Sequence, residues 1–175
     1  MIIMQKSFLP TLIECTYTRS DLLYRFSLLK EFLEFVFFVE QKNDVTKDLL
    51  LKFAQKSGKS DEDVAFLKRI DLSVFTKDSF YSALETLSEE SKHIETMSLV
   101  LPVVLSDEAL GRIGVWARQT IKRDILLEVD IDPTIVTGCQ LVWKNILHDF
   151  SFNHYVQKQA KELHNRIKLS SVANG

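Results

Sequence analysis

Apolar positions recur at helical spacing through most of the first half of the chain. In residues 21–41, "DLLYRFSLLKEFLEFVFFVEQ", they fall at Leu22, Phe26, Leu29, Phe32/Leu33, Val36 and Val39/Phe37, which predicts a helix with one buried stripe. From Phe32 onward apolar residues spread almost all round. Such a helix wants cover on several sides, from its own bundle or from a partner chain. A second helix is predicted over Val45–Lys56, with Leu49, Leu50, Phe53 and Ala54 inward and Gly58 as its stop. "SDEDV" offers Ser60 as the N-cap of a third, with carboxylates in the first turn. A fourth follows Thr76, with Phe80, Leu84 and Leu87 on one face. The segment before Ser20 stays ambiguous because Pro10 interrupts it.

Near His93 the pattern changes. "SLVLPVVLS" is a compact run of β-formers, which Pro102 should confine to an edge or bend. "SDEALGRIGVWARQTIKR" predicts a helix capped by Ser106, with Leu110, Ile113, Ala117 and Ile121 inward. Gly111 and Gly114 either weaken that helix or let another element approach closely. "DILLEVDI" alternates as a strand, with Ile125, Leu127, Val129 and Ile131 on one face and Leu126, Glu128 and Asp130 on the other. "CQLVWK" predicts the next strand, Asn145-Ile146 a reversal and "LHD" a short partner. A final helix runs from Ser151 to about Lys168, with a stripe of Phe152, Tyr155/Val156, Ala160, Leu163 and Ile167. The expected fold is therefore α+β and mainly α: a helical bundle over residues 1–92, then a small strand-helix-strand-strand-helix α/β module over 93–175.

Composition narrows the class. The chain has 175 residues, three prolines, five glycines and a formal net charge of −2, so no global basic field draws it to nucleic acid. Cys15 and Cys139 form no close pair, which fits a reducing compartment. The N-terminal run lacks a basic leader, so no secretory signal is expected. "FLEFVFFV" is far shorter than the roughly 20 apolar residues of a spanning helix, so no direct membrane insertion is expected.

The stretch "DPTIVTGCQLVWKNILHDFS" invites a catalytic reading, because His148, Asp149 and Ser151 stand close in sequence. A triad needs convergence in space, a base at the nucleophile and an oxyanion hole. Neighbouring residues at a strand end point in different directions, and no G-x-S-x-G elbow accompanies them. A phosphate loop is equally short of its residues. The physical reading is a frame. Asp132-Pro133 ends a strand and turns the chain, and Gly138 permits a bulge or close packing. Ser151 caps the last helix, with Asp149 ahead of its positive end. His93, His148, His154 and His164 lack metal-ligand spacing. No catalytic residue, metal or cofactor is expected. Lys158, Lys161, Arg166 and Lys168 give the last helix a basic end, read either as a solvated face or as a docking site for an acidic or amphipathic helix.

Beyond this, "LLEVDIDPTIVTGCQLVWKNILHDFSFNHYVQKQAKEL" resembles the C-terminal region of the δ subunit of F-type ATP synthases and its mitochondrial counterpart, the oligomycin-sensitivity-conferring protein. That family pattern runs from a strand into Asp-Pro-Ser-Leu-Ile-Gly-Gly, through a second strand and short turn, to Asp-Gly-Ser and a terminal helix. Asp132, Pro133, Gly138, Asp149 and Ser151 stand at matching positions. Thr137 and Phe150 depart from it. The upstream "LVLPVVLSDEALGRIGVWA" is similar to the family's apolar strand and serine-capped helix, so the likeness spans about residues 95–168.

The resemblance implies a non-catalytic connector of the peripheral stalk. Its helical domain would grip N-terminal segments of the α subunits, through an apolar face at Phe32, Phe35, Phe37 and Phe38. Its C-terminal module would bind the C-terminal helix of the stalk's b subunit, with Tyr155, Lys158 and Lys161 as candidate contacts. The chain would sit on the cytoplasmic side of the inner membrane and hold the head against rotor torque. The other reading is a two-module adaptor or regulatory protein unrelated to the synthase.

Overall fold

A computed structural model describes residues 9–42 and 46–173, with the backbone alone at residue 47 and over 165–173. The chain is α+β and mainly α. Helix α1 (Leu9–Glu14) carries Pro10 in its first turn, where a missing N–H removes no intrahelical bond. Helix α2 (Arg19–Glu34) starts at Thr18, whose hydroxyl accepts the Asp21 N–H at 3.1 Å. It then widens into a π-helical turn over Phe35–Val39, in which the Glu40 N–H reaches back to the Phe35 carbonyl at 2.9 Å.

Helix α3 (Lys47–Ser57) stops at Gly58, which takes φ +60° as expected for a left-handed C-cap. Its expected start at Val45 lies outside the described residues. Helix α4 (Asp61–Arg69) opens with a reciprocal capping box: Asp63 N–H donates to the Ser60 hydroxyl, and Ser60 N–H donates to the Asp63 carboxylate. Asp63 is also buried, and it accepts from the Tyr24 hydroxyl at 3.0 Å and Arg25 Nη1 at 3.1 Å, tying α4 to α2. Helix α5 (Phe80–Lys92) completes the helical part.

Strands β1 (Thr96–Leu101), β2 (Leu126–Ile131), β3 (Gln140–Trp143) and β4 (Ile146–Asp149) form one sheet in the order β2-β1-β3-β4. Helix α6 (Asp107–Thr120), capped by Ser106, is the crossover that makes β1 and β2 parallel. The other pairs are antiparallel. Pro102 does not push β1 to an edge. The strand is central and ends at Leu101, so the missing donor falls beyond the ladder. The hairpin reversal is Lys144-Asn145, one residue earlier than expected, with φ +49° and +62°. Positive φ at both central residues is what a two-residue turn matched to strand twist requires.

The core has two parts. Leu12, Leu22, Leu29, Phe32, Phe37, Phe53, Leu67 and Phe80 fill the helical one. Met97, Ala117, Ile125 and Leu127 fill the one between the sheet and α6, flanked by Ile113, Ile121, Leu141 and Trp143. Strand β2 serves both: Leu127 faces α6, while its neighbour Leu126 joins the helical core. Ile131 shares the Leu127 face but is exposed at the strand's end. Helix α5 ends at Lys92 and β1 begins at Thr96. The two parts nevertheless share the Leu126 packing.

Candidate functional site

The frame read from "DPTIVTGCQLVWKNILHDFS" is built as a set of local bonds. Asp132 ends β2 with its N–H on the Leu101 carbonyl at 2.8 Å. Its Oδ1 accepts the Thr134 N–H at 2.9 Å and the Thr134 hydroxyl at 2.7 Å, closing an Asx-type turn through exposed Pro133. Those two bonds hold the Asp132 carboxyl below the usual carboxylate range.

Gly138 fits its place for a specific reason. It takes φ +91°, and a Cβ added there would lie 2.2 Å from the Phe150 carbonyl oxygen. The chain at 137–139 runs against 150–152, with Phe150 N–H on the Cys139 carbonyl at 2.9 Å and Phe152 N–H on the Thr137 carbonyl at 3.0 Å. Only a residue without a side chain allows that approach.

Ser151 is buried and its hydroxyl accepts the His154 N–H at 3.2 Å, the N-cap bond of helix α7 (Phe152–Ala173). Asp149 Oδ1 accepts the Ser151 N–H at 2.9 Å, and Oδ2 accepts from Gln140 Nε2 at 3.2 Å. Bonding to Ser151, then the nearby His154 ring, lowers the Asp149 pKa. His148 instead stacks on Phe150, with ring centroids 6.3 Å apart. Asp149 and Ser151 therefore meet at the cap, while His148 stands on the other face of β4. Among the described residues no three His, Cys, Asp or Glu side chains gather as a metal site, and no helix is long and apolar enough to cross a membrane.

The phenylalanine face expected near the end of α2 needs correction. Phe32, Phe35 and Phe37 are buried: Phe32 and Phe35 pack on Phe53, and Phe37 packs on Phe80. Helices α3 and α5 and the π-helical turn supply the cover that the sequence left open to a partner. Phe38 alone of the four is outward, 46% exposed, beside Tyr81 and under the Lys77 ammonium. Next to it Glu31, Glu34, Phe35, Phe38, Val39 and Phe53 line an open cleft of about 430 Å³.

The opposite holds for α7. Every described side chain from Phe152 to Leu163 is exposed, although Phe152, Val156 and Leu163 share one face with Tyr155 beside them. Lys158 flanks Tyr155. Lys161 follows Lys158 one turn on, so the three expected contacts form a row that slants away from the apolar stripe. The side chains of Arg166, Ile167 and Lys168 lie outside the described residues. At the root of α7, Ile146 and Leu147 on β4 and Phe150 just after it are also exposed, and among the described residues no strand pairs with the outer edge of β4. Periodicity disclosed the α7 stripe, but nothing local marked it as uncovered.

No protein-family model matches this chain, and no curated protein matches it.

Proposed function

We propose that the chain is a non-catalytic connector in the peripheral stalk of an F-type ATP synthase. It links N-terminal segments of the α subunits to the C-terminal helix of the b subunit and resists rotor torque during proton-driven synthesis. The observation that carries this reading is α7: a long amphipathic helix leaves the sheet edge with an apolar face that no described residue covers. A surface of that kind suits helix-to-helix docking. The order β1, α6, β2, Asp132-Pro133 turn, β3–β4 hairpin, Ser151 cap and α7 supports it, because the resembled family pattern runs in that order. On the helical part, Phe38, Tyr81 and the adjoining cleft replace the four-phenylalanine face as the surface for the α-subunit segments.

Membranes stripped of peripheral subunits by salt washing provide the test. The protein restores proton-coupled ATP hydrolysis to the depleted complex. A Tyr155→Glu, Val156→Glu variant binds a peptide from the C-terminal end of the b subunit at least about tenfold more weakly, as loss of a central apolar contact predicts. Failure of the wild-type protein to rebind or recouple those membranes returns the chain to the class of unrelated adaptors.

A further inference from the structure

The chain between α1 and α2 does more than connect them. At Thr16–Thr18 it lies along the open edge of β2: the Leu127 N–H donates to the Tyr17 carbonyl at 2.8 Å, and Thr18 bridges Leu127 in parallel. Leu126 N–H points the other way, to Glu95 beside β1. Alternate amides of β2 therefore face the strap side, Leu127 and Val129 among them.

Three residues of α6 meet the strap. Gly114 lies directly under the Tyr17 ring, where an added Cβ would come within 2.5 Å of ring carbon Cδ1. Gly111 receives the ring's outer edge at an ordinary 3.7 Å. Arg118 lies against the same ring at 4.8 Å, donates through Nη2 to the Thr16 carbonyl and through Nε to the Ile125 carbonyl at 3.3 Å. One guanidinium thus ties the strap, α6 and the entry to β2 together. Thr16 is fully buried, its hydroxyl donating to the Leu12 carbonyl at 2.9 Å. Thr18, next along, is the N-cap of α2.

We infer that Thr16–Thr18 is a latch that locks the helical part onto the sheet, with Gly114 as its seat and Arg118 as its clasp. The residue that starts α2 also pairs with β2, so the direction of the longest bundle helix is set by the sheet edge. Opening the latch frees the Tyr17 and Thr16 carbonyls, the Leu127 amide and one Arg118 bond without breaking either core, so it releases as a unit. The inference is independent of the stalk reading, since it concerns contacts within one chain.

Residue-resolved hydrogen exchange tests it. In the wild-type protein the Leu127 amide exchanges at least about a hundredfold more slowly than the Val129 amide on the same strand edge. Gly114→Ala, or Arg118→Ala should the first variant not fold, speeds Leu127 by about tenfold or more and leaves the β1–β2 amides unchanged. Spin labels at Glu62→Cys and Asp130→Cys, with Cys15 and Cys139 changed to Ser, report orientation. They give one narrow distance distribution, which broadens in the Arg118→Ala background. The inference is overturned by a Leu127 amide as fast as Val129, by an unchanged distribution in Arg118→Ala, or by variants that accelerate all core amides together.

Discussion

Two stretches rich in aromatic side chains meet opposite fates. The run from Phe32 to Phe37 is enclosed by α3 and α5, whereas Phe150, Phe152 and Tyr155 stand in solvent. Both look alike as sequence. The difference is that the first has short connections that fold neighbouring helices back over it, while no described residue packs over α7. Burial follows from what the rest of the chain can reach. The enclosed run serves stability, and the open one leaves aromatic surface in solvent.

That contrast breaks most sharply by truncation. Phe32→Ala should cost about 3–5 kcal/mol of unfolding free energy, as for large-to-small changes in a packed core. Phe152→Ala should stay within about 0.5 kcal/mol. Denaturant unfolding of the two variants measures both. Equal losses would mean that α7 is covered in solution.

Asp63 comes next. Replacing it by Ala leaves the Arg25 guanidinium with Asp21 at 3.3 Å as its remaining carboxylate, and the loss should reach up to about 3 kcal/mol, the lower end for breaking a buried pair. Its acid limb has a defined sign. Burial opposes the charged form, but the Ser60 bonds, the Tyr24 hydroxyl and Arg25 outweigh it and lower the Asp63 pKa. The folded state therefore binds fewer protons than the unfolded one near the ordinary carboxylate range. The stabilisation is complete above about pH 4 and fades as pH falls through the lowered value. Burial raises the pKa of Asp21, so its contribution runs the other way. Unfolding midpoints taken between about pH 6 and 2.5 should decline less steeply for Asp63→Asn than for the wild type.

Two smaller effects sharpen the frame beneath α7. Gly138→Ala should destabilise by about 1–3 kcal/mol, the range for a strained backbone, since the new methyl meets the Phe150 carbonyl. Ser151→Ala should cost about 0.5–2 kcal/mol through loss of the cap. In that variant, helix content by circular dichroism falls while the near-ultraviolet spectrum of the core persists.

Features decided within a few residues were legible in the sequence. Ser60, Ser106 and Ser151 each cap the helix that their spacing predicts, because a cap bond spans three residues. Gly111 and Gly114 were legible as a place of close approach, but their occupant, Tyr17, lies about a hundred residues away and carried no local mark. The reversal at Lys144-Asn145 was displaced by one because no glycine announces it. The fate of the four phenylalanines was illegible for another reason. Apolar spacing implies a regular helical period through residue 39, and the helix departs from that period at Phe35.

That departure amounts to a change of phase. A π-helical turn accommodates one residue more than the ordinary pitch, so everything beyond Phe35 is rotated relative to an unbroken helix. The rotation selects between two adjacent identical side chains. Phe37 is enclosed against Phe80 and Phe38 is left looking outward, with no difference in chemistry between them. Shortening this turn by one residue would reset the phase and exchange inside for outside. Which of these two phenylalanines looks outward is thus specified by a count of residues rather than by their kind.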